Sequence, residues 1–422
     1  MASRHFLFLQ GLRSPFFMRL AQALRNEGQS VSKIQYTVGD TLYWTGASTG
    51  CHVRREQLCD FYQQIFTQLI PTDIVLFGDC RPVHVPAIAL ASTLGIQVHI
   101  FEEGYFRPDW ITLETTGVNG YSLLPMQSVW YRTAARILHD APPPAALPSS
   151  LKARVLHDIA YNLGCIANSI FYPNYPTHVT DTIHEEYVAY AKRVMRVRNT
   201  RAKDNEKVRS LITSEKYFLL ALQVRGDAQL RFHSDYADSE KLLREVLGSF
   251  AKHAPPDVRL VVKNHPLDPG VMDYGDRIVK LASKLEISER VDYLETGHLP
   301  TLLDHAQGLI TVNSTTIGQA LFHRCPVKAL GRSIFAVDGL LCQESLDIFW
   351  RQPGQVDMVL FNDFKKVVTH LTQVNGGLYT TEGIALAIKN AIPRLLESPS
   401  RLAMLMDIVQ PVVPSARVEV HA

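Results

Sequence analysis

The chain has 422 residues, 46% apolar and 20% charged, which is ordinary globular usage at a length that implies two or three domains. Forty-three Lys and Arg against 41 Asp and Glu leave a formal net charge of +2, so no global field draws a polyanion and a dedicated nucleic-acid binder is not expected. The six cysteines (Cys51, Cys59, Cys80, Cys165, Cys325, Cys342) show no Cys-x-x-Cys pair and no histidine at zinc-finger spacing, which fits reduced thiols in a cytosolic chain. The apolar start runs into Arg13 and Pro15, too early for a secretory h-region, and no apolar run approaches the eighteen or so residues of a membrane span. The expectation is a soluble protein, or one bound only to a membrane surface.

In chain order, residues 6–10 (Phe-Leu-Phe-Leu-Gln) read as a strand. Gly11 and Ser14-Pro15 follow as a loop, and Phe16, Phe17, Leu20 and Leu24 lie at helical spacing. Residues 31–36, 73–78 and 98–101 read as further strands, with helices at 56–69 and 85–94. This alternation predicts a parallel sheet covered on both faces. The run 142–148 (Pro-Pro-Pro-Ala-Ala-Leu-Pro) interrupts it, because consecutive prolines remove donors and disfavour helix before them, so a surface connection is expected.

Residues 151–209 read as mostly helical. They end in a basic run of Lys192, Arg193, Arg196, Arg198, Arg201, Lys203, Lys207 and Arg209. A second alternation places strands at 217–223, 259–263, 291–294, 308–312 and 326–330, and the tail carries helical stretches at 363–371 and 384–396. The expected divisions are residues 1–210, with a helical insertion, 211–345 and 346–422. The expected fold class is α/β: two Rossmann-like, doubly wound domains facing a cleft, with C-terminal helices returning to the first. That plan resembles the GT-B architecture of glycosyltransferases and some sugar epimerases.

Ligands of open parallel sheets sit beyond the carboxyl ends of the strands, so polar residues that end apolar runs are the candidates. Gln10-Gly11 ends the first strand, where a glycine admits a ligand or simply makes the turn. Glu102, Glu103 and Arg107 follow the strand at 98–101; such acids serve as base or sugar acceptor, or as a surface ion pair, and an arginine can clamp a carboxylate. Gln223 to Asp227 ends the first strand of the second alternation, where Gly226-Asp227 supplies a nucleophile or a turn. Lys263-Asn264-His265-Pro266 offers an ammonium and an imidazole suited to a phosphate. Asn313-Ser314-Thr315-Thr316 precedes a helix and either caps it or binds an anion there.

Several of these segments occur together elsewhere. Phe-Leu-Gln-Gly with Ser14-Pro15-Phe16-Phe17, the stretch from Phe101 through Trp110 to Gly117-Val118-Asn119-Gly120, Gln223 to Asp227, Asn264-His265-Pro266 and Asn313 to Thr316 resemble capsule polysaccharide biosynthesis proteins of the KpsS/LipB type. The resemblance covers roughly residues 4–345. It implies a retaining β-Kdo transferase that uses CMP-Kdo to build a short Kdo linker on a phosphatidylglycerol-type lipid. Residues 1–210 would then be the acceptor side and 211–345 the nucleotide-sugar side.

Residue by residue, the resemblance implies Asp227 as nucleophile, His265 on the CMP phosphate with Ser314 and Thr315 in support, and Glu102 on the acceptor side. Arg107 is a candidate for the Kdo carboxylate, although it is followed here by Pro108 where linker-extending relatives carry Arg-Ser. Gln10, Gly11, Gln223, Lys263 and Asn313 complete the expected binding set. CMP carries a single phosphate, so no metal and no cofactor beyond the donor are expected.

The implied location is cytoplasmic and peripheral on the inner membrane, with the basic run 192–209 meeting anionic lipid or forming a solvated helix face. The implied partners are the extending transferase and the capsule export machinery. Another sugar-nucleotide transferase or epimerase, or a non-catalytic export or assembly protein, are the alternatives.

Overall fold

The computed structural model describes residues 3–140, 142–148, 150–176, 183–224, 232, 234–236 and 239–410. The strands, in chain order, are β1 (His5–Phe8), β2 (Ser30–Gln35), β3 (Thr49–Gly50), β4 (Asp73–Phe77), β5 (Gln97–Glu103) and β6 (Trp110–Thr115). They continue with β7 (Lys216–Ala221), β8 (Val258–Lys263), β9 (Val291–Leu294), β10 (Gly308–Thr311), β11 (Val327–Ala329) and β12 (Gln373–Asn375). They form two sheets, one in each of two compact units.

The first unit comprises Met1–Pro125, Thr133–His178 and Lys365–Ala422. Its sheet runs β12-β6-β5-β4-β1-β2-β3. The central strands β1 and β4 are buried apolar runs, as both-face coverage requires. Alternate side chains go to opposite cores. Phe6 and Phe8 pack with the helices Phe16–Asn26 and Thr381–Leu396, while Leu7 and Leu9 pack with Leu58–Leu69 and Val85–Thr93. The two edge strands correct the expectation of a wholly parallel sheet, because β6 is antiparallel to β5 and β12 is antiparallel to β6. The link from β5 to β6 is residues 104–109, too short for the crossover of about a dozen residues that a parallel return needs. Residues 142–148 carry neither helix nor strand and are largely exposed.

The second unit comprises Met126–Arg132 and Val179–Phe364. Its sheet, β11-β10-β7-β8-β9, is parallel throughout. Phe218 and Leu220 of β7 pack with the helix Ser239–His253 and with Phe349 and Trp350. The long helix Ile183–Ser214 belongs to this unit, so the division falls near residue 178 and not at 210. Side-chain chemistry fixes it there: Arg193 pairs with Glu295, Asp204 accepts from the backbone and hydroxyl of Thr296, and Lys207 pairs with Asp292.

Counted within its own unit, each sheet has the strand order 3-2-1-4-5, extended in the first by two antiparallel edge strands. The order reverses between β1 and β4 and again between β7 and β10. These are the places where open α/β sheets leave a crevice at the carboxyl ends of their strands.

Candidate functional site

At the reversal point of the second unit, Gln223 and Asn313 follow β7 and β10, and both are buried. They form a reciprocal amide pair. Gln223 Nε2 donates to Asn313 Oδ1 at 3.1 Å, and the Asn313 backbone N–H donates to Gln223 Oε1 at 3.2 Å. The pair ties the two strand ends together with neutral groups, so it adds no charge where the sheet reverses.

The neighbouring strand β8 ends in Lys263, whose buried Nζ donates to the Asn264 carbonyl at 3.2 Å. Burial, with the charge of Arg193, lowers its pKa to about 8. Asn264 Oδ1 accepts from the His265 N–H at 2.8 Å while its amide donates to Glu295 at 3.2 Å. His265 Nδ1 accepts from the Leu267 N–H at 3.1 Å, so the proton of the neutral ring resides on Nε2, a donor of the kind a phosphate oxygen accepts.

Arg193 holds this turn from behind, with a side chain only 5% exposed. Its Nε meets Glu295 at 2.6 Å. Its remaining donors serve the carbonyls of His265 and Pro266, each at 2.9 Å, and that of Asp268. Arg193 therefore reads differently from the rest of the basic run: it is a brace inside the unit. Arg196 and Lys207 are likewise paired, with Asp273 and Asp292, whereas Lys192, Arg198, Arg201, Lys203 and Arg209 are exposed. Periodicity cannot separate the two groups, because the acids that pair with the first lie 77 to 102 positions away, as at Asp273 and Glu295.

Ser314, Thr315 and Thr316 are half-buried before the helix Thr316–Phe322. Ser314 Oγ accepts from the Thr316 N–H at 3.2 Å, and Thr315, at the cap position, makes no side-chain capping bond. The Thr316 hydroxyl is buried without a hydrogen-bond partner among the described residues. Asp227, the expected nucleophile, lies outside the described residues.

In the first unit the corresponding place is charged. Gln10 is buried after β1, with Oε1 accepting from the Tyr175 hydroxyl at 3.0 Å. A Cβ at Gly11 would lie 2.8 Å from the Phe17 ring, so close packing already accounts for that glycine. Two cations bracket this loop from neighbouring strands. Lys33 of β2 donates from a buried Nζ to the Leu9 carbonyl at 2.6 Å, and Arg81, past the end of β4, donates to the Gly11 carbonyl at 2.7 Å. Burial lowers the Lys33 pKa to about 8. Neither residue is among the sequence-predicted set. The signal available for Arg81 is the polar run Asp79-Cys80-Arg81 directly after a buried strand.

Glu102 is half-buried at the end of β5, and its Oε1 accepts from the Glu103 N–H at 3.0 Å. Burial pushes its carboxyl up to about 7, with Arg81 pulling the other way. Glu103 has different partners, the Tyr379 hydroxyl at 3.1 Å and Arg154 at 3.2 Å. Arg107 is exposed, its Nε directed to the Gly104 carbonyl at 3.4 Å. Of the expected residues, the structure thus gathers Gln10, Gly11 and Glu102 at the strand ends of one unit. It gathers Gln223, Lys263, His265, Asn313, Ser314 and Thr315 at those of the other.

Among the described residues, no group of three or more His, Cys, Asp or Glu side chains is placed to hold a metal, and no helix is long and apolar enough to cross a membrane. The capsule polysaccharide biosynthesis protein family matches residues 72–379. The chain is 32% identical over 389 residues to the capsule polysaccharide modification protein LipB of Neisseria meningitidis serogroup B, covering 90% of this chain and 92% of that one. It is also 32% identical over 394 residues to the capsule polysaccharide export protein KpsS of Escherichia coli, covering 90% and 98%. Among solved structures, the β-Kdo 2,7 transferase KpsC of Thermosulfurimonas dismutans aligns over 92% of this chain and 99% of that one, at 14% identity and a TM-score of 0.42. On the strength of the family match and the two relatives, the chain belongs to the capsule polysaccharide biosynthesis family of the KpsS/LipB type.

Proposed function

We propose that the chain is a retaining β-Kdo transferase that moves Kdo from CMP-Kdo to a (lyso)phosphatidylglycerol primer at the cytoplasmic face of the inner membrane. The observation that carries this reading is the braced turn of the second unit. There three hydrogen bonds hold His265, one of them on the ring at Nδ1 so that the proton lies on Nε2, and a neutral amide pair ends the neighbouring strands of the same sheet. A preorganised neutral donor suits a leaving phosphate, because it need not reorient as charge develops.

In the first step a carboxylate oxygen of Asp227 attacks the anomeric carbon of Kdo. The bond from that carbon to the phosphate oxygen breaks, and CMP departs with His265 Nε2–H donating to it. In the second step the acceptor hydroxyl attacks the same carbon, the bond to Asp227 breaks, and the hydroxyl proton passes to Glu102. Two inversions give retention. Kdo has no hydroxyl beside its anomeric carbon, so its cation forms readily and positioning does much of the work. A carboxyl held near pH 7 is matched to taking a proton at physiological pH. Ser314 and Thr315 support the phosphate, and Arg107 addresses the Kdo carboxylate.

The test is incubation of purified protein with CMP-Kdo, generated in situ, and a lysophosphatidylglycerol analogue, followed by mass spectrometry. A product heavier by one Kdo is expected. Product from a UDP-sugar but not from CMP-Kdo, or no product with full capsule export by Asp227→Asn, would contradict the reading.

A further inference from the structure

The helix Leu151–Cys165 of the first unit and the short helix Asn168–Phe171 after it are built inside out. Their protein-facing contacts are polar. The Tyr161 hydroxyl bonds to Thr37 and Asp40 at 2.7 and 3.1 Å, the Tyr43 hydroxyl to His157 at 3.0 Å, and Asn168 accepts from the Val38 N–H at 2.8 Å. Asp158, the sole acid among residues 151–171, is turned to Arg13.

The outward face is aliphatic. Leu156, Leu163, Ile166 and Ile170 are 68%, 63%, 69% and 77% exposed, with Val155 and Phe171 beside them. At about 100° per residue these positions of the first helix share one side, and its protein-facing residues occupy the other. Folding of the unit gains nothing from aliphatic groups held in water, so their arrangement calls for an external apolar phase.

We propose that this face is the membrane-docking surface of the chain and that its occupant is a bilayer containing anionic lipid. The charge pattern selects lipid over protein. The outward face carries exposed Lys152 and no carboxylate, and it is aliphatic, whereas protein interfaces are enriched in aromatic residues and arginine and depleted in lysine. The second unit shows the same chemistry on its own long helix, where exposed Val194 and Met195 adjoin exposed Lys192 and Arg198. The inference deepens the peripheral location proposed above, but it stands on this geometry and does not require the transferase chemistry.

The experiment is cosedimentation of the full chain with mixed phosphatidylethanolamine and phosphatidylglycerol vesicles, comparing wild type with the triple variant Leu156→Ser, Ile166→Ser, Ile170→Ser. The wild type is expected to bind, with weakened but persistent binding in high salt, because the apolar part of the interaction is not screened. The variant should partition about tenfold less or worse. Its melting transition and its ability to glycosylate a water-soluble acceptor should be unchanged, since the altered side chains are 68% to 77% exposed. If no acceptor is glycosylated by the wild type, the transferase reading fails while vesicle binding still decides this one. Absence of wild-type binding, equal binding by the variant, or conversion of a dimer to a monomer at unchanged vesicle binding would overturn the proposal.

Discussion

The two units share one strand order and differ in what they bury where it reverses. In the second, the reversal between β7 and β10 is closed by the neutral Gln223 and Asn313 pair, and charge is set one strand away, in Lys263 and the Arg193 brace. In the first, Lys33 stands likewise one strand away, on β2, but Arg81 past the end of β4 also donates to the loop after β1, and a carboxyl held near 7 ends the next strand, β5. One arrangement presents a neutral amide pair beside a turn held by the Arg193 brace, which suits the binding of a nucleotide. Both units hold a buried lysine lowered to about 8, and the first adds a carboxyl whose protonation changes near neutral pH, which suits taking a proton from an acceptor. The proposed division into donor and acceptor roles stands on this contrast.

The sharpest way to break the contrast is at the nucleophile. Asp227→Asn should lower transfer by about 10³-fold or more with the fold retained, measured as product formation beside an unchanged circular dichroism spectrum. Next in size is the brace. Arg193→Met leaves Glu295 buried without its cation and strips three carbonyls of a donor, so unfolding of the second unit in urea should show a loss of about 3–5 kcal/mol. The double change Arg193→Met with Glu295→Met should recover part of it. Equal stability of Arg193→Met and wild type would show that the turn does not depend on the guanidinium.

A smaller effect sharpens the first unit. Glu102 must lose its proton before it can accept one, so acceptor-dependent transfer should rise through about pH 7 and lose that dependence in Glu102→Gln. Arg81→Gln removes the charge that holds the Glu102 pKa down and should move the rise to higher pH. The sign for stability is the opposite. A folded pKa of about 7 lies above the ordinary glutamate value of 4.5, so the contribution of Glu102 is fully present below about pH 4.5 and lost as pH rises through 7. Glu102→Gln should flatten that loss in thermal melts. The smallest expected effect is none: EDTA should leave transfer intact, and loss restored by magnesium would contradict a metal-free departure of CMP.

Much of the architecture was legible because both sheets are built from short buried runs between helical stretches, such as 73–77 and 258–263. The antiparallel edge was less so, since Gln373–Asn375 has only three residues and its partner strand lies 258 or more positions earlier. At the candidate site, residues that end strands could be read from position alone, as with Gln223, His265 and Asn313. Lys33 could not, because a lysine in the middle of a strand gives no local sign that it reaches a carbonyl of the neighbouring one. Nor could Arg193, which the sequence presents as one cation of a basic run and the fold turns inward to Glu295. What one sequence conceals here is pairing over distance, not residue type.

The most direct measurement of the donor and acceptor division is the equilibrium binding of CMP to wild type, His265→Ala and Glu102→Gln. If the second unit holds the nucleotide, His265→Ala should weaken CMP binding by about tenfold or more, in keeping with a hydrogen bond to a charged group, while Glu102→Gln binds as wild type. Wild-type affinity in His265→Ala, with the loss appearing in Glu102→Gln, would contradict it.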